Sequence, residues 1–155
     1  MDTRIQGVVV RDLVVHPDDR GRLFEILRSD DPTFSKFGQA YITTTYPGVV
    51  KAWHRHHLQD DYFCCVSGMI KLVVHDGREA SPTFGLTDEV WFGEHRLRTV
   101  IVPRGTWHGW TCVSEKEAMI LNLVTEAYNP TNPDEERLDP HQSGVIAYNW
   151  ARRDG

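Results

Sequence analysis

Residues 48–68 read GVVKAWHRHHLQDDYFCCVSG, placing His54, His56 and His57 within four positions, with Asp60 and Asp61 close behind. If KAWHRH is extended, its side chains alternate between two faces. Ala52, His54 and His56 then share one face, Lys51, Trp53 and Arg55 the other, and His57 turns away. DYFCCVS reads as a second strand after a short loop, on which Asp61 can point toward the two histidines. Two imidazoles and a carboxylate on neighbouring strands are the ingredients of a facial metal triad, with the remaining positions open to water or substrate. A further candidate, His108, follows a strand and a Pro-x-Gly turn in VPRGTWHGW.

Outward from this stretch, strand signals dominate. IQGVVVRDLVVH, AYITTTY, YFCCV, MIKLVVHD, RTVIVP and AMILNLV are rich in β-branched and aromatic residues. Turn formers separate them in PDDRG, YPG, VSG, HDG, SPTFG and VPRG. Many short strands at near-regular spacing predict an all-β barrel or sandwich. Only SDDPTFSKF, residues 29–37, hints at a helical turn. After Thr125 the texture changes: NPTNPDEERLDP is rich in proline and acid and is expected to wrap the outside. GVIAYNW, residues 144–150, is expected to form a last edge strand or an arm. The expected organisation is one domain over residues 1–155, with a barrel over about 5–126 and a wrapping segment over 127–155.

Bulk properties narrow the function classes. A net charge of −5 with no Lys/Arg cluster argues against a nucleic-acid partner. Apolar runs such as GVVV and TVIV fall far short of the roughly 20 residues that span a bilayer, so no membrane partner is expected. Three cysteines, Cys64 and Cys65 adjacent, do not make a disulfide framework, and MDTRIQG carries no charged-then-apolar leader. Together these predict a reduced, cytoplasmic protein.

The histidine spacing resembles the first motif of the cupin superfamily, G-x5-H-x-H-x3–4-E-x6-G. Gly48, His54, His56, Asp61 and Gly68 satisfy it, with Asp in place of Glu. Pro103, Gly105 and His108 resemble the second motif, whose leading Gly and late Asn are here Leu97 and Cys112. The resemblance implies a double-stranded β-helix, or jelly-roll, barrel and the ligand set His54, His56, Asp61 and His108. A divalent Fe, Mn, Ni or Zn ion suits such a set, and the sequence does not choose among them.

A narrower resemblance runs along nearly the whole chain. DDRGRLFE, FGQAYI, GVVKAWH, SGMIKLVVHDGREASPTFG, VPRGTWHGW and YNPTNPDEERL look like the dTDP-4-dehydrorhamnose 3,5-epimerase family. That family implies a homodimeric, metal-free cupin acting on a dTDP-sugar, in which a His–Asp dyad removes a proton next to a ketone and a tyrosine returns one from the other face. His54 matches the base, Arg20, Glu25 and Gln39 match positions that hold the nucleotide-sugar, and Lys51 replaces a motif arginine. Counting back from YNP puts Asn122 where the tyrosine should fall, and an amide has no proton to give at a useful pKa. The dyad's aspartate belongs to a C-terminal SxKD segment, for which Asp154 is the nearest acid, though too early in the chain to match well. His56 and Asp61 depart from the family in the opposite direction, toward a metal site.

Simpler readings stand beside these. His16, His75, His95 and His141 are expected to be surface or hydrogen-bonded residues, and Cys64, Cys65 and Cys112 to be packing residues. Trp53, Trp91, Trp107 and Trp110 are expected in the core or an interface, and Asp134, Glu135, Glu136 and Arg137 on a solvated face. Three functions follow. The leading one is a metal-binding, epimerase-like isomerase acting on a nucleotide-sugar or similar small carbonyl compound. The second is a metal-free dTDP-4-keto-6-deoxysugar 3,5-epimerase with His54 as base, and the third a non-catalytic sugar-nucleotide-binding cupin.

Overall fold

The computed structural model describes residues 3–153. Two antiparallel five-stranded sheets face each other. The first runs in the order β1 (Val9–Asp12), β9 (Arg98–Val102), β6 (Asp61–Ser67), β11 (Ala118–Val124) and β4 (Gln39–Thr45). The second runs β12 (Glu136–Arg137), β5 (Val50–Arg55), β10 (Trp107–Cys112), β7 (Met69–His75) and β8 (Thr87–Gly93). A separate hairpin pairs β2 (Val15–Asp18) with β3 (Gly21–Phe24). Neighbours in each sheet are mostly distant in sequence, which is how a double-sheet roll differs from a simple meander.

The strand pattern predicted from β-branched and aromatic runs holds. On β7, Ile70, Leu72 and Val74 point between the sheets, where Phe63, Phe92, Val100, Trp110 and Ile120 meet them. The intervening Val73 points outward and packs with Trp53 and Trp107 under Ile146 and Trp150. The C-terminal segment therefore wraps the outer face of the second sheet and gives it a second apolar layer. GVIAYNW is not an edge strand, because it lies across this face as an irregular arm anchored by Ile146 and Trp150.

The helical turn expected in residues 29–37 is absent. Asp31 there closes a turn around Thr33, accepting from its N–H at 2.9 Å and its hydroxyl at 2.6 Å. A side chain that bonds the backbone locally competes with helix formation. Among the described residues no helix is long and apolar enough to cross a membrane.

Beyond β7, the buried Asp76 organises the loop toward β8. Its carboxylate accepts from Arg78 Nε and Nη2, both at 2.8 Å, and from the Ser81 and Thr83 hydroxyls, both at 2.6 Å. Burial alone would raise this carboxyl, but the donors outweigh it and hold the group far below the usual carboxylate range. A carboxyl lowered in the fold stabilises it above the unfolded value of 3.8, and that stabilisation is lost as pH falls through the folded value. Asp76→Asn is expected to cost about 3 kcal/mol at pH 7. In urea unfolding, the gap between wild type and variant should hold from pH 7 to about 5 and shrink only below about pH 4.

Candidate functional site

One end of the space between the sheets is polar and open, a cavity of about 960 Å³. Strands β4, β5 and β10 supply Gln39, Tyr41, Thr43, Lys51, His54 and His108 to its walls, and the segment 134–137 closes one side. This volume lies at the upper end of the range for small-molecule sites.

The β5–β10 ladder decides what faces inward. His54 pairs with His108, but Lys51 pairs with Trp110, so three residues of β5 span two of β10. This is a β-bulge, which breaks the simple alternation. Lys51 consequently faces the cavity along with His54, correcting the expectation that they lie on opposite faces. Lys51 Nζ donates to Thr43 Oγ1 at 3.0 Å and to the Thr44 carbonyl at 2.6 Å, tying the two sheets together at the rim. Val50 and Ala52 turn outward toward Trp53. Gly109 makes the bulge possible, since a Cβ there would lie 2.1 Å from Ala52 Cβ.

Of the four ligands implied by the cupin motifs, three come together. His56, Asp61 and His108 each offer a donor atom within 4.8 Å of the others. Asp61 Oδ2 lies 3.9 Å from His56 Nε2 and 3.9 Å from His108 Nε2. Donors around an ion with bonds of about 2.1 Å stand roughly 3.0–3.4 Å apart, so each Asp61–histidine pair would contract by roughly 0.5–0.9 Å on loading. Two of the three residues are also held through their other atoms, whereas among the described residues His108 Nδ1 is buried without a partner. Asp61 Oδ1 accepts from Asn122 Nδ2 at 2.8 Å and Gln59 Nε2 at 2.9 Å. His56 Nδ1 meets the Asp134 carbonyl, which can only accept, so this nitrogen carries the hydrogen and Nε2 keeps its lone pair. Such a bond behind a ligating imidazole is the usual support of a metal ligand. The donor set fits a divalent ion.

His54 stands outside this cluster. Its Nε2 is 4.0 Å from Glu135 Oε1, within ion-pair range but beyond a hydrogen bond. Burial lowers the His54 pKa, opposed by the Glu135 charge, so the ring is a neutral base near pH 7. Burial likewise pushes Asp61 up, and burial with His56 and His54 nearby pushes His108 well down.

The segment 134–137 is not the solvated face its composition suggested. Asp134 accepts from the backbone N–H groups of His57, Leu58 and Gln59 at 2.8–3.1 Å. Glu136 pairs with Arg55 and with His57, the latter at 2.7 Å, and β12 extends the sheet beside β5. Charge and proline content could not reveal this, because the partners lie nearly 80 residues away. Glu135 is the functional candidate missed in the sequence. Burial opposes its ionisation, but Arg137 at 2.9 Å holds it below the ordinary glutamate value.

Among the other expected site residues, Gln39 lines the cavity and accepts from the Tyr128 N–H at 2.8 Å. Arg20 and Glu25 do not line it: Arg20 pairs with Asp18 at 2.6 Å and Glu25 with Arg28 at 3.0 Å, all on the exposed hairpin side. Asn122 is fully buried behind the cavity wall. Asp154 lies outside the described residues. Trp53, Trp107 and Trp110 are buried as expected, whereas Trp91 is half-exposed.

A family model described as dTDP-4-dehydrorhamnose 3,5-epimerase matches residues 2–153. The spore coat polysaccharide biosynthesis protein SpsL of Bacillus subtilis is 40% identical over 146 residues, covering 94% of this chain and 96% of that protein. The crystal structure of a dTDP sugar isomerase from Desulfovibrio desulfuricans superposes with a TM-score of 0.89 at 32% identity, covering 97% of this chain and 94% of that one. ChmJ, a 3'-monoepimerase from Streptomyces bikiniensis solved with dTDP-quinovose, superposes with a TM-score of 0.80 at 26% identity, covering 90% and 73%. The all-β jelly-roll cupin fold expected from the histidine motifs is thus the fold of these relatives.

Gly109→Ala is expected to force β5 and β10 apart at the His54–His108 pair. Overpacking of this kind costs about 1–3 kcal/mol. The thermal midpoint should drop by roughly 3–10 °C, and the His108 ring resonances should shift more than those of the distant His16.

Proposed function

Because this chain belongs to the dTDP-4-dehydrorhamnose 3,5-epimerase family, we propose that it epimerises a nucleotide-linked 4-keto sugar with His54 as the base. The observation that carries this reading is the separation of His54 from the His56–Asp61–His108 cluster. A histidine bound to a metal has no lone pair for proton abstraction, and His54 is not so engaged. Its neutral ring lines the cavity wall, with Glu135 placed to favour the imidazolium as it forms. Lys51 and Gln39 are the polar groups at the rim for the phosphate and sugar.

His56, Asp61 and His108 would hold one divalent ion. When bound, such an ion polarises a ketone or enediolate oxygen and so favours removal of the neighbouring proton. A metal-free epimerase using the same base is the second reading. It is favoured by His108 Nδ1, which is buried without a hydrogen-bond partner, whereas a ligand bound through Nε2 needs an acceptor there. Assembly as a homodimer would reconcile Arg20 and Glu25 with substrate binding, because their own chain's cavity does not include them. A second copy would also cover the free edge of β4, where Ile42 is exposed.

In deuterium oxide, the wild type is expected to exchange a proton alpha to the ketone of a dTDP-4-keto-6-deoxyhexose. His54→Asn should reduce this by a factor of at least about 100, the usual contribution of a positioned base. Equal exchange in wild type and variant would remove His54 as base, and binding without exchange would leave a carrier instead of an enzyme. Elemental analysis of untagged protein purified without chelator should find about one divalent ion per chain, lost in His56→Ala. Full exchange after complete metal removal would select the second reading. Sedimentation should return a dimer.

A further inference from the structure

Tyr41 stands directly opposite Asn122 in the β4–β11 ladder. The Asn122 amide is oriented by three contacts. Its oxygen accepts from the Tyr62 N–H at 3.2 Å, so its nitrogen faces the other way. That nitrogen donates to Asp61 Oδ1 at 2.8 Å and to Tyr41 Oη at 2.8 Å. An amide nitrogen cannot accept, so the Tyr41 oxygen is the acceptor here and its own hydrogen is left to point elsewhere. Among the described residues, Tyr41 Oη makes no other hydrogen bond. Gln39, Tyr41 and Thr43, alternate residues of β4, all line the cavity, so the phenol is presented to whatever occupies it. His54 belongs to β5 in the facing sheet.

We propose that Tyr41 is the catalytic acid that returns a proton to the substrate carbon from the face opposite His54. It would stand in, from the neighbouring strand, for the tyrosine that the family resemblance puts at position 122. This rests on the epimerase reading above. His54 takes the proton alpha to the ketone, and the C–H electron pair moves into the enediolate. The Tyr41 O–H then breaks as a C–H bond forms on the other face, and the carbonyl is restored. Imidazolium and phenolate remain, and one proton lost to water and one gained from it reset the pair. No oxidant or further reactant is needed.

Partial burial of Tyr41, 38% exposed overall, with the Asp61 and Glu135 charges nearby, pushes its phenol up to about 12, so it holds its proton at neutral pH until the enediolate draws it. Asn122 becomes a positioning residue, linking the phenol to the buried Asp61. Tyr128 also lines the cavity, but it is 62% exposed, and among the described residues the Asn122 amide bonds Tyr41 and not Tyr128.

The experiment follows a dTDP-4-keto-6-deoxyhexose in deuterium oxide by proton NMR, reading isotope exchange and configuration separately. With Tyr41→Phe, His54 still removes and returns the proton on its own face. Deuterium should then enter within about tenfold of the wild-type rate, while inverted product forms at least about 100-fold more slowly. Tyr128→Phe should invert at close to the wild-type rate. A thermal midpoint within a few degrees of wild type, with unchanged dTDP binding, would show that only the hydroxyl was lost. Inversion by Tyr41→Phe within threefold of wild type overturns the proposal, as does an inversion defect confined to Tyr128→Phe. Loss of exchange and inversion together in Tyr41→Phe also overturns it, since the phenol would then not act on one face alone. A wild type that neither exchanges nor inverts overturns the epimerase reading itself, and this inference with it.

Discussion

The inner face of the second sheet depends on a missing methyl group. At Gly109 the backbones of β10 and β5 approach so closely that any Cβ would overlap Ala52. That approach accommodates the extra residue of β5, and the extra residue rotates the strand between Lys51 and His54. On one side of the bulge Lys51 reaches across to β4; on the other His54 comes level with His108. Without the bulge, strict alternation would put Lys51 and His54 on opposite faces, and the cavity would lose one or the other. The outward turn of Trp53 belongs to the same distortion and supplies the surface on which Ile146 and Trp150 pack.

From that starting point the barrel divides into two ends with different physics. One end is filled by Phe63, Ile70, Leu72, Phe92 and Ile120, and burial of apolar area stabilises it. The other end carries His108, Asp61 and Asn122, all nearly inaccessible, and here stability requires that polar atoms be paired. Asn122 meets that need by connecting Tyr62, Asp61 and Tyr41 through one amide. Groups held this firmly keep their orientation when a substrate arrives, which is what proton transfer between two faces of a carbon demands. Burial of these groups lowers His54 and His108 and raises Asp61 and Tyr41.

The fold was largely legible in the chain. Strands such as MIKLVVHD and RTVIVP announce themselves by composition, and turn residues mark where they stop. One local reading failed for a physical reason: SDDPTFSKF forms turns because Asp31 bonds its own neighbourhood. Of the two readings of GVIAYNW, edge strand or arm, the arm holds, because Ile146 and Trp150 are engaged with Trp53. The site was legible only in part. His56, Asp61 and His108 are recognisable from motif spacing, which reports strand periodicity and turn length. Glu135 and Tyr41 are not, since neither carries a local signal and each matters through a partner on another element.

What the sequence by itself determined is the all-β barrel, the family, and the inward placement of two histidines and an aspartate. These follow from alternation, turn chemistry and spacing, which are properties of short stretches. What only the tertiary structure decided is the division of labour among those residues. A single bulge put Lys51 beside His54, the C-terminal segment brought Glu135 to His54, and a cross-strand register set Tyr41 against Asn122. Such relations depend on which strands become neighbours and in what register, and that is settled by the packing of the whole barrel.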